Sequence, residues 1–384
     1  MKRFSQGLLG LWLALLPCAR AWNHVSVDAL PRAFQDNDLT LVAFIAPDSE
    51  KCKSLEPAWE DAASAEAPGA LLSVQCGVDS PGCDEYATKE YPTIRLFQKD
   101  KPSTVYQGPR RASSIRNFLA RHRRPVVSQV KAEDLEAFRE LDGDAVVIAY
   151  LSGPDDEAAG VFAEVAARHR HEFTFGTVTD PAVLEAEGVS PPHIACHRPG
   201  DGEAKAASWS GDADGLERAV LEASRPFVSD FTPLTEQRLL DRGWPMVYLL
   251  SPTEDGRAAL RAALLRFARS YHDSLTAVLV DPADYPDLPR KLGLDPARHG
   301  WPAGAVHQLS RDRVYPYPPG RALDSQSVQR WGLDVYQGRV KPWTPPGVTT
   351  SYDDLGPQRV ATRRLSVASG WPGVKVKVAG HDEL

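Results

Sequence analysis

Five cysteines in 384 residues pose the first chemical question. Cys18 lies at the end of an apolar N-terminal run, which leaves Cys52, Cys76, Cys83 and Cys196, and four cysteines allow three full pairings. Cys52 stands in Phe44-Ile45-Ala46-Pro47-Asp48-Ser49-Glu50-Lys51-Cys52-Lys53-Ser54-Leu55-Glu56-Pro57, after the apolar run 40–45 and ahead of the helical spacing of Leu55, Trp59, Ala62 and Ala63. A thiol at the start of a helix gains from the helix dipole and free N–H groups, which favour its thiolate. A thiolate attacks a disulfide and passes through a mixed disulfide. Ser49 cannot do this, because a hydroxyl stays protonated near neutral pH and oxygen forms no disulfide; its expected role is to cap the helix. Two readings of Cys52 stay open: an inert, shielded thiol, or one that forms slow mixed disulfides without a resolving partner. Cys76 and Cys83 have no His or further Cys nearby to complete a metal site, and they lack the spacing of a CxxC pair. Cys196 falls inside a strand, where alternation turns His193 and His197 to the opposite face.

The elements that must position these residues follow from periodicity. From 25 to 124 the order reads strand, helix, strand, helix, strand, helix, strand, strand, helix. Apolar runs at 40–45 and 71–75 suit buried strands, followed by a short helix near 84–88, strands at 91–97 and 104–106, and a closing helix at 112–121. Arg123-Arg124-Pro125 marks a linker, and the pattern restarts with helices at 135–141 and 158–169, strands at 145–151 and 173–178, and the turn Pro191-Pro192-His193. Arg225-Pro226-Phe227 opens a third pass, with helices at 234–241, 257–271 and 325–336 and strands at 245–250, 275–280, 305–309 and 313–315; Gly300-Trp301-Pro302 is its turn. The expected division is a leader at 1–21, units at 22–124, 125–225 and 226–346, and a tail at 347–384.

The stretch from Ala46 to Lys53 resembles the Ala-Pro-Trp-Cys-Gly-His-Cys-Lys turn of the protein disulfide isomerase family. Tyr91-Pro92-Thr93 resembles that family's Tyr-Pro-Thr, whose proline is cis and faces the site. The resemblance implies that Ser49 stands at the first, nucleophilic cysteine and Cys52 at the second. It places Ala43 where the family carries a buried, proton-shuttling Glu. Pro109-Arg110 matches the family's Gly-Arg, whose Arg tunes the second thiol, although Arg110 reads equally as a solvated surface charge. The Cys76–Cys83 spacing is similar to that of fungal isomerases and implies a structural disulfide, worth roughly 2.5 kcal/mol for so short a loop on the chain-entropy model. The second and third units resemble the redox-inactive b and the client-binding b′ domains. In the latter, Leu239, Leu240, Trp244, Met246, Leu288, Leu292, Leu294 and Trp301 are candidates to line an apolar pocket, with ordinary core packing expected for at least half. The implied fold is α/β: three tandem thioredoxin-like repeats, each a mixed central sheet flanked by helices. After Pro346 the family would begin a second catalytic domain; here residues 347–384 read as a disordered tail with room for a strand at 374–378.

Both ends carry addresses. Lys2 and Arg3 precede the apolar run 8–16, and Ala19-Arg20-Ala21 supplies a cleavage site before Trp22, the pattern of a secretory signal peptide. His381-Asp382-Glu383-Leu384 matches a retention signal read by a retrieval receptor of the endoplasmic reticulum, whose lumen permits disulfides. A net charge of −7 argues against nucleic acid as a partner, and no later apolar run is long enough to span a membrane. No cofactor and no metal is expected. The expected function is to bind unfolded or partly folded secretory proteins in the endoplasmic reticulum lumen, as a chaperone or adaptor with dithiol activity lost or weak. The alternatives are a thiol–disulfide isomerase acting through Cys52 alone and a non-catalytic subunit with one dedicated partner.

Overall fold

The computed structural model describes residues 24–77, 82–86, 90–141, 143–153 and 156–345. The leader, the strand expected at 374–378 and the signal His381, Asp382, Glu383 and Leu384 lie outside the described residues. The chain divides into Met1–Trp343 and Thr344–Leu384, and the fold below belongs to the first.

Its first sheet follows from one strand. After α1 (Leu30–Asp36), β1 (Leu39–Ile45) is buried from Thr40 onward, as a central strand covered on both faces must be. Leu41, Ala43 and Ile45 face a cluster with Leu55 and Trp59 of α2 (Glu50–Ser64) and with Phe118 of the closing helix. Val42 and Phe44 face Leu30 of α1 and the Cys76–Cys83 disulfide. β2 (Leu71–Gln75) pairs parallel to β1; α3 (Cys83–Tyr86) follows, then β3 (Thr93–Gln98) and β4 (Lys101–Val105), both antiparallel to their neighbours, and α4 (Ala112–Arg123). The sheet order is β2-β1-β3-β4. The strand expected at Val25 is reduced to a bridge between His24 and Ser73. A 3-10 turn, Val27–Ala29, begins two residues later, with Ser26 accepting from the Asp28 N–H, and leaves no length for a ladder.

The second unit repeats the plan with β5 (Ser128–Gln129), α5 (Leu135–Arg139), β6 (Val146–Tyr150), α6 (Glu157–His169), β7 (Thr174–Val178), α7 (Pro181–Glu187), β8 (His193–Arg198), β9 (Glu203–Ala207) and α8 (Ala213–Ala223). Along β8, Ile194, Cys196 and Arg198 are buried while His193 and His197 turn to the other face. The third has β10 (Val228–Asp230), α9 (Glu236–Asp241), β11 (Met246–Leu250), α10 (Glu254–Ser270), β12 (Thr276–Val280), α11 (Leu288–Lys291), α12 (Pro296–His299), β13 (Ala303–Gln308), β14 (Arg313–Pro316) and α13 (Ser325–Tyr336). Their sheets run β5-β7-β6-β8-β9 and β10-β12-β11-β13-β14, with two parallel and two antiparallel pairings in each. In all three units a cis X-Pro bond precedes the first antiparallel strand: Tyr91–Pro92, Pro191–Pro192 and Trp301–Pro302. Among the described residues no helix is long and apolar enough to cross a membrane.

Arg111, just ahead of α4, joins the units. Its guanidinium donates to Asp144 of the second (3.0 Å) and Asp230 of the third (2.8 Å), on the wall of a cavity of about 630 Å³. Burial alone would raise the Asp230 carboxyl; Arg111 and Arg261 outweigh it and hold the group below the usual carboxylate range.

Candidate functional site

The turn from β1 into α2 places the thiol chemistry. Ser49 is the N-cap residue of α2: its carbonyl accepts from the N–H groups of Cys52 (3.0 Å) and Lys53 (3.1 Å). The side-chain cap expected of it is not formed, so the hydroxyl leaves the orphan donors of the first turn untouched. Cys52 is unpaired and 3% exposed, within the apolar cluster of Leu41, Ala43, Leu55 and Trp59. Its sulfur accepts from the Ala46 N–H at 3.4 Å. Ala43 packs into that same cluster fully buried, so the inner wall beside the thiol offers hydrocarbon where a carboxyl would move protons. The two half-buried residues of the cis Tyr91–Pro92 pair lead into β3, and Tyr91 packs against the cluster.

Arg110 corrects one reading drawn from the sequence, that of a solvated surface charge. Its guanidinium is bonded to the Lys51 carbonyl (3.2 Å), one residue ahead of Cys52, and to Asp284 of the third unit (2.5 Å). Both side chains of that pair are under 20% exposed. Burial pushes the Asp284 carboxyl up while Arg110 pulls it down, and burial prevails.

The segment holding Asp284 also borders a second feature, a cavity of about 540 Å³ in the third unit. Its apolar wall is Phe231, Leu240, Tyr248, Tyr285, Leu288 and Leu292; Glu236, Asp287, Lys291 and Asp312 stand at its polar margin. Phe231 meets Tyr248 edge-on at 5.6 Å and Tyr285 at 5.0 Å, a rigid aromatic lining. Burial pushes the Tyr248 hydroxyl up to about 12, so it stays protonated.

Of the eight residues nominated for this wall, Leu240, Leu288 and Leu292 line it. Leu239, Met246 and Leu294 do not: they are at most 4% exposed and fill the core behind it. Trp244 is not part of the wall; Arg242 (4.1 Å) and Arg225 (5.5 Å) stand over its ring, held by cation–π attraction. Trp301 stands outside the wall, 36% exposed ahead of cis Pro302. Sequence reasoning missed Phe231, Tyr248 and Tyr285. The first and last sit in connections where no periodicity singles them out; Tyr248, inside β11, reads as one more core position.

A thioredoxin family model matches residues 24–121, and a thioredoxin-like domain model matches 151–332. The protein disulfide-isomerase of Humicola insolens is 26% identical over 343 residues, covering 89% of this chain. That of Aspergillus oryzae is 28% identical over 319 residues, covering 82%. The chain is a homologue of the protein disulfide isomerases, built of thioredoxin-like domains. This isomerase homologue spans about two thirds of the length of those relatives, 67% of the first and 61% of the second. Among solved structures, human ERp44 (form II) matches 85% of this chain and 92% of its own length, with a TM-score of 0.38 and 18% identity.

Proposed function

We propose that this isomerase homologue binds unfolded or partly folded secretory proteins in the lumen of the endoplasmic reticulum and has given up dithiol turnover. One observation carries the reading: at the start of α2 the position of an attacking thiol holds Ser49, and the remaining Cys52 is 3% exposed in an apolar cluster. At 3% exposure Cys52 offers little surface to an incoming protein disulfide. The aromatic cavity of the third unit supports the binding half of the reading: it is apolar within and polar at its margin, as a site for extended hydrophobic segments should be. The luminal address rests on the sequence of both termini, and the terminal His381-Asp382-Glu383-Leu384 is proposed as a retrieval-receptor ligand.

The test is reactivation of scrambled, disulfide-mispaired ribonuclease by the mature chain beside its Ser49→Cys variant. Inactivity of the parent and gain of turnover in the variant are expected. Substantial reactivation by the parent would overturn the loss of redox function and favour the single-thiol isomerase. That alternative also demands alkylation of native Cys52 at neutral pH, which its burial opposes.

A further inference from the structure

The geometry points to a transition-metal site in the second unit, formed by His169, His171 and Glu172 and suited to zinc. His169 ends α6, and the turn that follows is fixed by the N–H groups of Glu172 and Phe173, each donating to the His169 carbonyl at 2.9 Å. One ligand atom from each of the three side chains lies within 4.8 Å of the other two. A tetrahedral zinc ion with bonds of about 2.0–2.2 Å needs them roughly an ångström closer, a movement within reach of half-buried side chains on a turn.

The orientation of His169 is the second, independent observation. Its Nε2 lies 2.9 Å from an Oε1 of Glu217 on α8. The carboxylate can only accept, so Nε2 carries the proton, and in the neutral imidazole Nδ1 keeps its lone pair. That Nδ1 is buried, has no hydrogen-bond partner, and stands 4.0 Å from Glu172 Oε2, too far for a hydrogen bond. A buried acceptor without a donor costs free energy that a cation would recover. A carboxylate holding the far nitrogen of a histidine whose near nitrogen points at other donors is the arrangement by which proteins orient metal-ligating imidazoles. The His171 ring stacks beside His169 at 5.9 Å. Two imidazoles and a carboxylate suit zinc or cobalt better than calcium or magnesium, which prefer an all-oxygen shell. His171 and Glu172 also line the central cavity, so a three-ligand site would keep its fourth position toward solvent there. Arg238 of the third unit forks onto Glu172 at 2.5 and 3.0 Å, and the free lone pairs of that carboxylate are what remain for a metal.

The test titrates tag-free mature protein with Zn²⁺ against a chromophoric chelator, with the visible spectrum of Co²⁺ as a second readout and Ca²⁺ as control. One equivalent of Zn²⁺ is expected to bind and to raise the melting temperature, as a ligand of the native state must. His171→Asn should weaken binding by about 100-fold or more and remove the thermal shift. Glu217→Gln removes no ligand but exchanges the charged acceptor of the His169 Nε2 proton for a neutral, weaker one, and should weaken binding about 10–100-fold, which keeps the test decisive should His171→Asn fail to fold. Absence of stoichiometric binding, or equal affinity in the parent and Glu217→Gln, overturns the site.

Discussion

The start of α2 in the first unit and the cavity of the third are built on the same four-strand core order, to which the third adds β10 at one edge, and they have been finished in opposite ways. At α2 the sheet and helices close over Cys52, leaving one thiol under Ala46 with hydrocarbon on its inner side. In the third unit α9 and α11 stand off the sheet, and Phe231, Tyr248 and Tyr285 border about 540 Å³ instead of filling it. The segment containing Asp284 touches both, pairing with Arg110 on one side and bordering the cavity on the other. The contrast teaches that a thioredoxin-like unit offers two separable devices: a side chain presented at a helix start, and a gap between helices and sheet. One can be sealed while the other stays open.

The largest effect should come from placing the same charge in both. Cys52→Asp buries a carboxylate without a partner and is expected to destabilise the first unit by about 3–5 kcal/mol. Leu288→Asp sits at a cavity wall that water reaches and should cost under about 1.5 kcal/mol of stability while lowering affinity for an unfolded polypeptide about tenfold, since desolvating the new charge then opposes client binding. Urea midpoints and titration of a fluorescent, reduced and carboxymethylated client separate the two. A harmless Cys52→Asp would mean that the site is not sealed, and unchanged client affinity in Leu288→Asp would remove the cavity from the binding role.

The order of elements along the chain was legible because β1 and its counterparts are short apolar runs at regular spacing, and burial on both faces demands them. Charge networks left no such trace. Arg111 meets Asp144 and Asp230 across long stretches of chain, and nothing periodic pairs them. The cavity wall was only partly legible for a related reason. Position along the third unit does not separate Leu239, Met246 and Leu294, which fill the core, from Leu240 and Leu288, which line the gap. Hydrophobicity misplaced Trp244, whose ring serves as a platform for arginines. His169-Arg170-His171-Glu172 was visible as residues, but Glu217, which orients His169, comes from another helix.

A smaller effect concerns acid. Burial chiefly pushes His122 of the first unit and His272 of the third down to about 4. Their folded pKa values lie below an unfolded value near 6.5, so the unfolded chain binds more protons in between. Stability is therefore complete above about pH 6.5 and declines as pH falls toward 4, each group adding a slope of up to about 1.4 kcal/mol per pH unit. Asp230 and Glu172, held low by their arginines against the pull of burial, lose their contribution only as pH falls through still lower values. Urea midpoints at pH 7, 5.5 and 4.5 should fall in that order, and His122→Gln should flatten the decline. An unchanged slope in that variant would show that His122 is protonated without cost and that the first unit's core is more open than its apolar packing implies.

The smallest effect tests Ser49 itself. Asp156, the N-cap of α6, accepts from the N–H groups of Ala158 (3.0 Å) and Ser152 (3.1 Å), and Asp156→Ala is expected to cost about 1 kcal/mol. Ser49 holds the same position on α2 without such a bond, so Ser49→Ala should shift the urea midpoint by less than about 0.5 kcal/mol. The two substitutions delete side chains at equivalent points of equivalent helices, and their difference reports the hydrogen bonds together with the charge of Asp156 at the helix dipole. If Ser49→Ala costs as much as Asp156→Ala, the hydroxyl caps α2 in solution and stability alone accounts for a serine there. If it costs little, Ser49 is held neither by catalysis nor by capping, and Ser49→Cys should return a thiol to the helix start without disturbing the fold that must carry it.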